Sequence, residues 1–118
     1  MKILLVDDNE EITQMLSKYL SLEKFDVTVA NDGRNGLQLI KNQRFDFVLL
    51  DLAMPEFSGI DVLESLAKDG LINKQKIILF TASSITEQEE KRLMRLGIHS
   101  CIRKPIKMPS LLQILQSG

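Results

Sequence analysis

The chain has 118 residues, of which 44% are hydrophobic and 26% charged, and its formal net charge is −1 at pH 7. We expect one domain over residues 1–118, and the balanced charge argues against direct binding of nucleic acid or of an anionic membrane surface. One cysteine excludes an intrachain disulfide, and no apolar run reaches the length of a signal peptide or membrane span, so a cytoplasmic location is expected.

Short apolar runs alternate with stretches of helical spacing along the whole chain. The runs predict strands over residues 3–6, 25–30, 45–50, 76–80 and 100–103. A helix is predicted after each strand, because apolar residues recur there every three or four positions. Asn9 suits the N-cap of the first helix, overlapping capping boxes at Ser84 and Thr86 mark the start of the fourth, and Gly97 suits its left-handed end. Pro109 fits the first turn of the fifth helix.

The alternation of strands and helices predicts the fold class. Five strands, each followed by a helix, indicate an α/β protein with a five-stranded parallel sheet and helices on both of its faces. In open sheets of this kind, ligands bind beyond the carboxyl ends of the strands, where the strand order reverses. The functional residues are therefore expected at the strand ends.

Polar side chains stand at four of these strand ends. Asp7 and Asp8 follow the first strand, Asp51 follows the third, Thr81 ends the fourth, and Lys104 comes after the fifth. Each has an ordinary alternative, such as a helix cap, a surface lysine or a satisfied strand hydroxyl. Taken together, three converging carboxylates would repel one another without a cation, and oxygen ligands of this kind suit Mg²⁺. A hydroxyl and an ammonium group nearby are what a phosphoryl group would require.

Four motifs in register make the chain similar to a known family. The stretches "ILLVDDNE", "VLLDLAMPEFSG", "ILFTAS" and "IRKP" resemble the receiver domain of two-component response regulators, and the resemblance covers the whole chain. It implies a flavodoxin-like (βα)5 fold with strand order 2-1-3-4-5, the order of chemotaxis regulators. It also implies a signalling domain and not an enzyme with an external substrate, because such domains catalyse only their own phosphorylation and dephosphorylation.

The resemblance assigns a phosphoacceptor and a metal site. Asp51 would receive a phosphoryl group from a phosphohistidine on a sensor histidine kinase or a histidine phosphotransfer protein. Asp7, Asp8 and Asp51 would hold Mg²⁺, or Mn²⁺ in its place, together with the backbone carbonyl of Ala53. Phosphorylation would then switch the conformation of the domain and so control a partner protein.

The resemblance also assigns the groups that bind the phosphoryl oxygens and report on them. Lys104 and Thr81 would bind the oxygens, and the bond between Lys104 and Pro105 is expected to be cis. Thr81 would pass the signal to the position of Cys101, where the family usually has Tyr or Phe. A small cysteine is expected to pack as a modest hydrophobic residue, leaving the signal to the fourth helix and the loop before it.

Output is expected through the surface of the fourth helix, fifth strand and fifth helix. On this surface Ile98, Ile106 and Met108 are predicted to be exposed contacts for an unidentified output protein. Ala53 and Ser83 occupy the two positions that tune the access of water to the phosphoryl group. Neither side chain can steer a water strongly, so we expect self-dephosphorylation that is not fast.

Three alternatives remain open from the sequence. A receiver-like interaction module that is not phosphorylated would share the fold, although the acids, Thr81 and Lys104 are all present. A haloacid-dehalogenase-like phosphatase would need a second Asp two residues after Asp51, where the chain has Ala53. A flavodoxin-like module for FMN would need a Ser, Thr and Gly-rich loop after the first strand, where the chain has "DDNEE".

Overall fold

Strands and helices alternate strictly in the part of the chain that the computed structural model describes, residues 1–81 and 85–117. The elements are β1 Lys2–Val6, α1 Glu10–Leu22, β2 Asp26–Ala30, α2 Gly33–Asn42, β3 Phe47–Asp51, α3 Gly59–Lys68, β4 Lys76–Thr81, α4 Glu87–Leu96, β5 Ser100–Arg103 and α5 Met108–Ser117. The predicted order is confirmed, and the described helices include none with the length and apolarity needed to cross a bilayer.

The sheet is parallel and has the strand order β2-β1-β3-β4-β5, which confirms the predicted fold class and topology. Val6 at the end of β1 pairs with Leu50 of β3, so the residues after both strands emerge at the same level. Asp51 pairs with Phe80, and Thr81 pairs with Arg103 on the next strands. This register places the polar strand ends along one edge of the sheet.

Hydrophobic side chains from helices on both faces cover the sheet. One cluster joins it to α2, α3 and α4 through Leu37, Ile40, Val62, Leu63, Leu66 and Leu93. The other joins it to α1 and α5 through Leu16, Leu20, Leu111 and Leu115. Burying a Leu, Ile or Val side chain stabilises the fold by about 1.5–3 kcal/mol. Every residue of β3 is buried, so Asp51 is presented by a strand that the core holds on both sides.

The predicted helix ends are confirmed where the structure describes them. The Asn9 side chain accepts hydrogen bonds from the backbone N–H groups of the first turn of α1. Thr86 caps α4, and Gly97 ends it with a φ of 117°, in the left-handed region that glycine tolerates. Ser84 lies outside the described residues. The bond between Lys104 and Pro105 is cis, as expected.

The expectation that Ile98 is an exposed contact is wrong. Its side chain is 5% exposed and belongs to the core cluster under α4. The backbone explains this burial. The N–H of His99, the next residue, donates to the carbonyl of Ile77 in β4, 2.8 Å away, and so holds this part of the chain against the sheet. Ile106 and Met108 are half-buried and pack against the cluster on the other face.

Candidate functional site

Three carboxylates meet at the carboxyl edge of the sheet. Single carboxylate oxygens of Asp7, Asp8 and Asp51 lie within 4.8 Å of one another. In the sheet, β2 lies on one side of β1 and β3 on the other, so the strand order reverses between β1 and β3. Asp7 and Asp51 are buried, at 3% and 4% exposure, whereas Asp8 is exposed at the rim.

Lys104 contacts two of these acids. Its Nζ lies 3.1 Å from Oδ1 of Asp51 and 3.6 Å from Oδ2 of Asp7. The backbone N–H of Lys104 donates to the carbonyl of Thr81, 2.7 Å away, which extends the pairing of β4 and β5 by one residue. Because the backbone is fixed in this way, the lysine side chain reaches back over the ends of β3 and β1.

Burial and mutual repulsion perturb the ionisation of this cluster. Burial is the main reason that the pKa of Asp51 is raised, and the charge of Asp7 raises it further. Lys104 and the backbone N–H of Ala53 act in the opposite direction without cancelling the effect. Burial lowers the pKa of Lys104, but the hydrogen bond to Asp51 and the charges of Asp51 and Asp7 outweigh it, so that this pKa is raised. The site therefore favours any added positive charge.

One oxygen of Asp7 lacks a hydrogen-bond donor. Oδ1 accepts the backbone N–H of Asn9 at 2.9 Å. Oδ2 is buried and has no hydrogen-bond partner among the described residues, since Lys104 at 3.6 Å is beyond hydrogen-bonding distance. A buried carboxylate oxygen without a donor is costly unless a cation approaches it. The residues therefore fit a hard divalent cation such as Mg²⁺ or Mn²⁺.

Thr81 lies fully buried at the end of β4, beside the acids. Its Oγ1 accepts a weak hydrogen bond from the thiol of Cys101, at a sulfur–oxygen distance of 3.8 Å. Burial is the main cause that raises the pKa of Cys101; Glu90 adds to it, while Thr81 and Arg103 oppose it. A raised pKa keeps the thiol protonated and unreactive near neutral pH. Cys101 packs against the core cluster under α4 and contacts Thr81.

The loop after β3 is held tightly against Asp51. The N–H of Gly59 donates to the carbonyl of Leu52 at 2.9 Å. A Cβ on Gly59 would overlap the carbonyl oxygen of Asp51 and would lie 2.8 Å from the Cα of Leu52. Only a glycine allows this approach of the loop, whose Met54 is buried while Ala53 is exposed.

The structure brings the predicted residues Asp7, Asp8, Asp51, Thr81 and Lys104 to one edge. Ser83, which the sequence analysis linked to water access, lies outside the described residues. Sequence reasoning missed the side-chain contacts of two residues that lie next to the site. The side chain of Arg103 reaches α4 and the segment before it, and the side chain of Asn31 bonds to the backbone of Asp7. Neither had a local signal, since Asn31 reads as part of a turn and Arg103 as a strand-end cation.

Comparisons with known proteins agree with this geometry. A family model described as the response regulator receiver domain matches residues 3–116. The chain is 39% identical over 105 residues to the transcriptional regulatory protein CpxR homolog of Haemophilus influenzae, and 38% identical over 104 residues to CpxR of Escherichia coli K12. Both alignments cover 88% of this chain but 44% and 43% of those relatives, so the chain spans less than half of their length.

Solved structures show the same likeness over nearly the whole chain. The chemotaxis protein CheY4 of Vibrio cholerae aligns with a TM-score of 0.86 and 27% identity, over 98% of this chain and 96% of that one. The receiver domain of the Francisella response regulator 1452 aligns with a TM-score of 0.89 and 27% identity, over 98% and 93%. With its fold, its acidic strand ends and these relatives, the chain belongs to the response regulator receiver domains of two-component signalling systems.

Proposed function

We propose that Asp51 accepts a phosphoryl group from a phosphohistidine on a sensor histidine kinase or a histidine phosphotransfer protein. The contact that carries this proposal is the pairing of Lys104 Nζ with both Asp51, at 3.1 Å, and Asp7, at 3.6 Å. It provides a buried carboxylate with an ammonium group beside it, at the sheet edge where ligands of such folds bind. Strand β3 holds the carboxylate rigidly and the core behind it excludes water.

The transfer replaces one bond to phosphorus by another. A carboxylate oxygen of Asp51 attacks the phosphorus, the bond from phosphorus to the imidazole nitrogen breaks, and the histidine leaves with that electron pair. The product on this chain is an acyl phosphate. Lys104 would pair with one phosphoryl oxygen and the Thr81 hydroxyl would donate to another. Positioning and charge stabilisation of this kind supply most of the catalysis of phosphoryl transfer.

A divalent cation completes the proposed site. Asp7, Asp8 and Asp51, with the backbone carbonyl of Ala53, would hold Mg²⁺ or Mn²⁺. When bound, the ion supplies positive charge that neutralises phosphoryl oxygens. The support comes from the buried Oδ2 of Asp7, which lacks a donor among the described residues, and from the clustering of three carboxylate oxygens within 4.8 Å.

The proposed response runs from Thr81 towards α4. If Thr81 turns its hydroxyl to the phosphoryl group, it gives up its contact with the thiol of Cys101. Cys101 is too small to fill the space beside Thr81 as an aromatic ring would, so we assign the response to α4 and the segment before it. Output to a partner protein would use the α4, β5 and α5 surface, of which Ile106 and Met108 are half-buried members.

The curated relatives are named transcriptional regulators, and this chain matches less than half of each. We keep direct nucleic-acid binding outside the proposed role of this domain, in line with its balanced charge. A cytoplasmic location is part of the same proposal. The domain would act on no external substrate, and loss of the phosphoryl group would occur by hydrolysis of its own acyl phosphate.

Incubation with acetyl phosphate and Mg²⁺, followed by intact mass measurement, tests the proposal. The wild-type chain is expected to gain the mass of one phosphoryl group, and Asp51→Asn to gain none. Asp26→Asn is the matched control, because Asp26 is an exposed acid at the opposite end of the sheet. A chelator should abolish the gain. If the wild type stays unmodified, a receiver-like interaction module without phosphorylation becomes the better description.

A further inference from the structure

We propose that Asn31 is a positioning residue for the cation site, in that its side-chain amide fixes the backbone of Asp7 and so sets the affinity for the divalent ion. The proposal deepens the function proposed above and rests on it. Asn31 lies in the segment between β2 and α2, outside the acidic cluster itself. It would touch neither the ion nor the phosphoryl group.

The backbone of Asp7 is held on both sides, by the last residue of β2 and by the segment after it. Its N–H donates to the carbonyl of Ala30 at 3.1 Å, which continues the pairing of β1 with β2 beyond Val6. Its carbonyl accepts from Nδ2 of Asn31 at 3.2 Å. Because the carbonyl belongs to the peptide bond between Asp7 and Asp8, this second bond orients both acids of the pair.

A hydroxyl fixes the orientation of the Asn31 amide. Thr13 in α1 is 3% exposed, and its Oγ1 lies 3.4 Å from Nδ2 of Asn31. The hydroxyl donates its own hydrogen to the carbonyl of Glu10 at 3.1 Å, so its oxygen is left to accept from Asn31. The Asp7 carbonyl can only accept, which requires the amide nitrogen of Asn31 to face it. The chain of bonds joins β1, the segment after β2, and the first turn of α1.

These contacts occupy every polar group of Asp7 except the one needed for the cation. The N–H, the carbonyl and Oδ1 are bonded to Ala30, Asn31 and Asn9, whereas Oδ2 has no hydrogen-bond partner among the described residues. The residue is thus preorganised with one oxygen that accepts no hydrogen bond and has only the ammonium group of Lys104 nearby, at 3.6 Å. Removing a partner that orients a metal ligand typically lowers the affinity for the metal about 10- to 100-fold. We expect a loss at the lower end of this range, because Asn31 acts through the backbone of Asp7.

The test measures binding of Mn²⁺ to the purified chain by the paramagnetic resonance signal of the free ion. Asn31→Leu, which removes the donor at similar size, is expected to raise the dissociation constant about tenfold. Thr13→Val should raise it in the same direction by less. The double variant should bind no more weakly than Asn31→Leu, because both changes interrupt one chain of bonds. Asn35→Leu is the matched control, since Asn35 is an exposed asparagine whose amide bonds only to Asp32 among the described residues.

A second measurement separates positioning from a general loss of stability. Melting temperatures in chelator and in saturating Mn²⁺ give the increment that the ion adds, which depends on affinity. Asn31→Leu is expected to shrink this increment, whereas a purely structural change would lower both temperatures equally. Equal affinity and equal increment in Asn31→Leu and Asn35→Leu would overturn the role of Asn31 while leaving phosphorylation intact. A wild-type chain that binds no Mn²⁺ would overturn the proposed metal site itself.

Discussion

Lys104 contacts two buried carboxylates at once, and this shapes the site before any ligand arrives. The side chains of Asp51 and Asp7 are 6% and 5% exposed, while that of Lys104 is 30% exposed and reaches solvent. One ammonium group cannot neutralise three acids. The pKa of Asp51 is raised mainly because the carboxyl group is buried and further because Asp7 is charged, and Lys104 does not cancel these two effects. Binding of a cation, or protonation of one of the acids, would reduce the repulsion between the carboxylates.

The raised pKa of Asp51 predicts a particular pH dependence of stability. An acid whose pKa is higher in the folded state destabilises that state when ionised, fully above the folded pKa and not at all below the unfolded value near 3.8. Asp51→Asn should therefore be more stable than wild type at pH 7 without Mg²⁺. The advantage should shrink as pH falls towards the unfolded value. Urea unfolding between pH 7 and pH 4 measures it.

The opposite trend, in which Asp51→Asn is the less stable protein at pH 7 and gains on acidification, would mean that Lys104 dominates the environment of Asp51. Asp26→Asn provides the control, because Asp26 is exposed. A similar convergence of Asp26→Asn with wild type would point to a general effect of removing an acid and not to Asp51.

Gly59→Ala should disturb Asp51, the proposed phosphoacceptor. The added Cβ would meet the backbone of Asp51 and Leu52, which cannot move without disturbing β3. We expect a loss of stability of about 1–3 kcal/mol, together with slower phosphorylation by acetyl phosphate. Gly70→Ala is the comparison, because a Cβ there has open space but the φ of 71° is strained. It should lose stability and keep the phosphorylation rate of the wild type, so equal rates in both variants would contradict the prediction.

At the scale of elements, the sequence predicted the strand ends well because local signals determine them. An apolar run that stops at Asp51 or at Asp7 defines a buried strand and the residue at which it ends, without reference to the rest of the chain. Asn9 and Gly97 mark helix ends for the same reason, since capping depends on neighbours a few residues away. Because all the strands of a parallel sheet run in the same direction, their carboxyl ends then lie along the same edge.

Contacts between segments distant in sequence could not be predicted in this way. Ile98 is buried because of where the backbone of β4 accepts the N–H of His99, which no pattern around Ile98 encodes. The side-chain amide of Asn31 donates to the backbone carbonyl of Asp7, which is 24 residues away in the sequence. The side chain of Arg103, in β5, contacts the carboxylate of Glu90 and the backbone carbonyl of Ile85. Each depends on side-chain reach and register, which are set only when the sheet has formed.

We expect the side chain of Arg103 to stabilise the packing of β5 against α4. Its Nη2 lies 3.2 Å from Oε2 of Glu90, and its Nη1 donates to the carbonyl of Ile85 at 3.3 Å. Both side chains of the pair are partly exposed, so a double-mutant cycle of Arg103→Ala and Glu90→Ala should give a coupling of about 0.2–1 kcal/mol that weakens in salt. The pair of Arg92 and Glu89 within α4, at 3.6 Å, should give less coupling. Equal couplings would argue against a tie between elements.

At the scale of the whole molecule, two cores on opposite faces of one sheet leave the site at their common edge. Packing of α1 and α5 on one face, and of α2, α3 and α4 on the other, holds the strands without help from the acidic cluster. The acids can therefore remain a source of repulsion that the fold tolerates. A tightly bound cation should then act on the stability of the entire domain and not on one loop.

Mg²⁺ is accordingly expected to raise the melting temperature of the whole domain. At ten times the dissociation constant, linkage predicts about 1.4 kcal/mol, which is about 3–7 °C for a chain of this size. Asp8→Ala should largely abolish the shift and have little effect on the melting temperature in chelator, because Asp8 is exposed and contributes one of the three clustered oxygens. NaCl at matched ionic strength controls for screening of the acids. A rise of equal size in NaCl, or in Asp8→Ala with Mg²⁺, would show that general screening and not a bound ion stabilises the domain.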